Sequence, residues 1–79
     1  MSDIKSVKTL DYKGLKCPMP IVKISKDLPQ VAVGEVAEVL TTDPGSLSDF
    51  PAWAKTTGQQ IVETQQEPGL IKIYVKRLK

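Results

Sequence analysis

The sequence contains no histidine and a single cysteine, and these two scarcities exclude most of the chemistry open to a small protein. Without histidine there is no Cys-His dyad and no His-containing metal site. With one cysteine there is no C-x-x-C redox pair, no internal disulfide and no thiolate zinc cluster. Aromatic residues are few: one Trp, one Phe and two Tyr in 79 residues. No run approaches the apolar length that crosses a membrane, and Met1-Ser2-Asp3-Ile4-Lys5 lacks the apolar core of a signal peptide. Internal repeats and low-complexity tracts are absent, and the isolated Gly14 and Gly34 form no phosphate-cradling loop. A reducing cytoplasm is the expected location. Residues 1–79 are expected to form one domain with one small core, near the lower size limit for folding without staples or metal.

What is present centres on Lys16-Cys17-Pro18-Met19-Pro20, just after Gly14-Leu15. Val7 to Leu10 alternates like a strand, whereas Ile21, Val22, Ile24 and Leu28 recur like one face of a helix. Cys17 is therefore expected where a strand's exit loop becomes a helix, as N-cap, with Pro18 at the first helical position. A thiol there faces the positive end of the helix dipole and ionises more readily, and the thiolate is the nucleophile. Pro18 and Pro20 carry no N–H, which leaves the Met19 and Ile21 amides as the first donors for an anionic sulfur. Lys13, Lys16 and Lys23 add positive potential. A lone cysteine is more often a small buried hydrophobe than a nucleophile, and from the residues alone both readings stay open. A lone thiol without a general base can still exchange sulfur with another thiol or persulfide.

Leu10-Asp11-x-x-Gly14-Leu15-x-Cys17-Pro18-x-Pro20 resembles the signature of the TusA/SirA-like sulfurtransferase family, small sulfur carriers with a Cys-Pro-x-Pro motif. The resemblance extends over nearly the whole chain. It implies that Cys17 carries a persulfide, loaded by a cysteine desulfurase or rhodanese-like donor and unloaded by an acceptor protein's reactive cysteine. It implies a co-substrate-like carrier rather than a full catalyst, with no cofactor and no metal. The implied pathways are 2-thiolation of the tRNA wobble uridine, sulfur oxidation and cofactor sulfur trafficking. Many members have arginine where this chain has Lys13, which keeps the charge and loses the planar fork.

The rest of the chain predicts a scaffold. Strands are expected at about residues 6–11 and 36–41, and a helix at about 18–27, stopped by Leu28-Pro29. A second helix is expected at about 46–57, with Leu47, Phe50, Ala54 and Trp53 inward and Gly58 as its stop. Pro51 is expected to begin or kink its main part. A hairpin of residues 59–66 and 70–77 closes the chain about Glu67-Pro68-Gly69. The order βαβαββ predicts an α+β two-layer sandwich, a four-stranded mixed sheet with two helices packed on one face. The resemblance implies strand order 1-2-4-3 with the fourth strand antiparallel.

Parallel strands one and two should end at the same sheet edge, where α/β sites gather. That places Thr42-Asp43-Pro44-Gly45 beside the Cys17 loop. Asp43 either caps helix two or shapes the sulfur site; Asp11 faces the same choice, between anchoring its loop and serving the site. Met19 is expected exposed, as a docking contact, and Trp53 in the core or at its rim. Net charge is +2 but uneven: +4 over residues 1–26, −6 over 27–71 and +4 over 72–79. These are either solvated faces or a basic rim of Lys13, Lys16 and Lys23 that steers acidic partner surfaces. The competing class is a non-enzymatic RNA- or protein-binding regulatory module, since the expected fold is similar to the C-terminal domain of translation initiation factor three. Only Tyr12 and Tyr74 stand in the basic segments as stacking aromatics, which argues against direct nucleic-acid binding.

Overall fold

The computed structural model describes residues 6–16 and 18–79. The elements run β1 (Lys8–Asp11), α1 (Met19–Asp27), a short 3-10 turn (Leu28–Gln30), β2 (Val36–Thr41), α2 (Ser46–Thr57), β3 (Gln60–Glu67) and β4 (Leu70–Lys76). The sheet order is β1-β2-β4-β3, with β1 parallel to β2 and β4 antiparallel to both of its neighbours. The expected βαβαββ architecture and strand order are both found.

Alternation decides which side of the sheet is covered. Leu10, Ala37, Val39, Thr41, Ile71, Ile73 and Val75 are all buried, as strand residues two apart on one face must be when helices pack there. Ile24 of α1 and Phe50 and Ala54 of α2 close that core. Phe50 is fully buried, and truncating it to alanine removes about 3–5 kcal/mol. On the other face, Glu38 accepts hydrogen bonds from Thr9 Oγ1 (3.1 Å) and Tyr74 Oη (2.8 Å).

Local departures have local causes. β1 begins at Lys8 rather than Ser6, although the Val7 amide still reaches the Val36 carbonyl at 2.9 Å. The register of β3 against β4 slips between Ile61 and Glu63; this bulge at Val62 breaks the strand's alternation, as expected of an edge strand. α2 is one continuous helix with Pro51 inside it, so Pro51 does not begin it. The entry is tight: the Ser46, Leu47 and Ser48 amides bond the Asp43, Pro44 and Gly45 carbonyls. Gly58 ends α2 in the left-handed region, with φ 78°.

Candidate functional site

β1 and β2 run parallel, so the loops that leave them emerge on one edge of the sheet. The first loop is built by its own short contacts. Asp11 Oδ1 accepts the Lys13 amide at 3.0 Å, and the Leu15 amide bonds the Tyr12 carbonyl at 3.1 Å. Gly14 turns the chain with φ 84°, a conformation that a side chain disfavours. Asp11 therefore anchors this loop. Its contact with Lys13 Nζ at 3.9 Å, between two well-exposed side chains, adds little.

The second loop is held from beneath. Thr41 and Ser46 are buried and share a hydroxyl–hydroxyl bond of 3.2 Å, and Thr41 Oγ1 also accepts the Asp43 amide at 3.2 Å. Asp43 Oδ1 accepts the Gly45 amide at 3.1 Å. Asp43 thus caps the turn that feeds α2, while Gly45 is the N-cap of α2 itself.

The two loops meet. The Gly14 amide donates to Thr42 Oγ1 at 3.0 Å. Together Gly14, Leu15, Lys16, Thr42, Asp43 and Pro44 line an open groove of about 370 Å³. A second groove, of about 380 Å³, runs between the helices and is lined by Pro18, Ile21, Asp49, Ala52, Trp53 and Thr56. Cys17 lies outside the described residues, but its neighbour Lys16 lines one groove and its neighbour Pro18 lines the other.

The start of α1 differs from expectation by one residue, and the difference matters for charge. The Pro18 carbonyl accepts the Val22 and Ile21 amides, both at 3.1 Å, so Pro18 holds the N-cap position expected for Cys17. Met19 is the first helical residue and Pro20, which is buried, the second. The Met19 amide bonds the Lys16 carbonyl at 2.8 Å. Both amides expected to face an anionic sulfur therefore already have backbone partners. The positive end of α1 and the exposed Lys13, Lys16 and Lys23 remain as the electrostatic support.

Met19 is exposed, at 45%, as expected. Trp53 is half-buried: its ring meets Phe50 edge-on at 6.3 Å and its Nε1–H donates to Ser25 Oγ at 3.0 Å, which ties α2 to α1. Tyr12 and Tyr74, by contrast, are unavailable for base stacking, with 3% and 8% exposure. The Tyr12 hydroxyl donates to Asp27 at the far end of α1; burial first, then this bond and the carboxylate's charge, raise its pKa above the ordinary 10. The bond to Glu38, followed by burial, pushes Tyr74 up to about 12. Among the described residues no three side chains of the metal-ligating kinds converge. Among the described residues no helix is long and apolar enough to cross a membrane.

Comparison with known proteins decides the family. Residues 8–77 match the family described as sulfurtransferase TusA. This chain belongs to the TusA family. The sulfur carrier protein TusA of Allochromatium vinosum is 43% identical over 68 residues, 86% of this chain and 90% of that protein. YrkF of Bacillus subtilis, provisionally named a sulfur carrier, is 42% identical over 74 residues, 94% of this chain but only 40% of that longer protein. A Halobacterium salinarum protein of the same provisional name matches at 42% over 98% of its length. The crystal structure of a SirA-like protein from Desulfitobacterium hafniense superposes with a TM-score of 0.75 at 24% identity, covering 91% of this chain and 99% of that one, and so shares the fold.

The match to the TusA family spans both loops and both grooves. Sequence reasoning missed Thr42 as the link between the loops, Asp49 and Ala52 as groove residues, and the Tyr12–Asp27 bond. Only the spacing of Asp49, Ala52, Trp53 and Thr56 as one helical stripe was there to be read.

Proposed function

We propose that this TusA-family sulfur carrier works through a persulfide on Cys17. A donor persulfide presents its terminal sulfur, the Cys17 thiolate attacks it, the donor's S–S bond breaks and the donor thiolate leaves. An acceptor cysteine thiolate then attacks the terminal sulfur on Cys17. The second S–S bond breaks and Cys17 departs as thiolate. Each half of the cycle is a displacement at sulfur with no net oxidation.

The observation that carries this reading is the setting of the residues on either side of Cys17. Lys16 and Pro18 stand at the start of a helix, on an open edge between two grooves wide enough for another protein's reactive side chain. The helix terminus and Lys16 favour the thiolate, both as attacking and as leaving group. Pro18 and Pro20 stiffen the entry to α1, while Gly14, Asp11 and Asp43 shape the two loops that flank it. Lys13, Lys16 and Lys23 serve as a basic docking rim, with exposed Met19 beside them. These residues hold no second cysteine to resolve the persulfide, so the acceptor thiol comes from outside them. A cysteine desulfurase or rhodanese-like donor fits, and thiolation of the tRNA wobble uridine ranks first among the pathways. A reducing cytoplasm suits such a thiol. The burial of Tyr12 and Tyr74 weakens the alternative of an RNA-binding module.

The test is a relay. A cysteine desulfurase with 35S-cysteine, this carrier, and an acceptor protein bearing a reactive cysteine should pass label to the acceptor, and Cys17→Ser should stop it. Relay that survives Cys17→Ser would overturn the assignment.

A further inference from the structure

The groove that begins at Pro18 is apolar except at one point. Ile21, Ala52 and Trp53 line it, and Thr56 gives its hydroxyl to the Ala52 carbonyl at 3.0 Å. The exception is Asp49. Asp49, Ala52, Trp53 and Thr56 follow the i, i+3, i+4, i+7 spacing, so α2 presents them as one stripe. Asp49 is half-buried and makes no ion pair among the described residues. Its place in the first turn of α2 makes its charge tolerable. That place does not explain why the surface around it is apolar, nor why Met19 and Val22, one position on from Pro18 and Ile21, stay 45% and 40% exposed.

We propose that this groove docks the protein that loads Cys17, and that it takes from that partner an apolar side chain set beside a lysine or arginine. The proposal rests on the carrier reading above and names the chemistry of its donor. The apolar side chain fills the space between Ile21, Ala52 and Trp53. The cation pairs with Asp49, which makes no ion pair among the described residues. Charge sign also fixes orientation: Lys16 lines one groove and Asp49 lines the other. A partner with basic and acidic groups in the matching order fits one way round, and a uniformly acidic face meets repulsion at Asp49.

The test compares two ways of loading Cys17. One uses a cysteine desulfurase with cysteine, which must dock. The other uses inorganic polysulfide, whose terminal sulfur is attacked by the Cys17 thiolate while a polysulfide shorter by one sulfur leaves; it needs no groove. Asp49→Asn should slow loading by the desulfurase about tenfold and flatten its salt dependence, and Asp49→Lys should slow it further. Both variants should load from polysulfide at the wild-type rate, which also shows that they are folded. Desulfurase loading of both variants at the wild-type rate would overturn the proposal. So would concentration-dependent self-association of the wild type that Asp49→Lys abolishes, since a second copy would then be the occupant. If the wild type fails to load from either source, the carrier reading itself fails, and this inference with it.

Discussion

Gly14 and Thr42, 28 positions apart, join the two loops of the site by a bond of 3.0 Å from amide to hydroxyl. Parallel pairing of β1 and β2 brings the loops to one edge, and this bond sets their spacing. Thr42→Val keeps the shape and removes the acceptor. The loop is exposed, so the stability loss should be small, about 1 kcal/mol by urea denaturation. Persulfide loading should slow because the groove holding Lys16 loses its definition. An unchanged loading rate would show that the two loops act independently.

Gly14→Ala isolates a backbone effect. With φ 84° the backbone is left-handed, yet a Cβ there would meet nothing within 4 Å. The cost should be the conformational term alone, about 1–2 kcal/mol, and Gly14→Asn should recover part of it. Equal stability of the alanine variant in thermal unfolding would mean that the loop had rearranged.

How far the sequence reaches is clear from particular residues. The alternation of Ile71, Ile73 and Val75 and the apolar run of β2 carried the sheet, and Gly58 carried the end of α2. The strand order came from the family resemblance, because periodicity assigns faces and not neighbours. The start of α1 was misplaced by one residue because Pro18 and Pro20 both satisfy the rule for an early helical proline; the Val22 amide, bonded to the Pro18 carbonyl, decides between them. Thr42 and the Tyr12–Asp27 bond were not legible at all. A threonine in a loop and a tyrosine at a strand end have many partners within reach, and only packing selects one.

The Tyr12 hydroxyl bonds Asp27 and so couples the end of β1 to the end of α1. Tyr12→Phe should cost about 1–3 kcal/mol, because the half-buried carboxylate loses its donor. Equilibrium unfolding at neutral pH measures this, and a change well under that range would mean that water replaces the phenol without penalty.

The tyrosines also predict a pH dependence. Both are held protonated above the ordinary value of 10, Tyr74 up to about 12. Their raised values favour the folded state fully below pH 10, where neither state ionises. As pH rises past 10 the unfolded chain releases phenolic protons first, and this stabilisation is progressively lost. Denaturation curves from pH 8 to 11.5 should show the wild type falling more steeply than Tyr12→Phe/Tyr74→Phe. Parallel curves would contradict the assigned hydrogen bonds.

Lys13, Lys16 and Lys23 are exposed around the start of α1. Replacing all three with glutamine should lower the rate of loading by a desulfurase and flatten its dependence on salt between low and physiological ionic strength. Thermal stability should change little, since exposed charges contribute weakly to folding. Identical salt dependence would reduce the basic rim to a solvated surface.

The central claim is that Cys17 carries the sulfur. Intact mass after incubation with a cysteine desulfurase and cysteine tests it most directly, with wild type beside Cys17→Ser. The account predicts a gain of ~32 Da that reductant removes and that the variant never shows. A wild type of unchanged mass with this donor, and again with thiosulfate and a rhodanese, would contradict it.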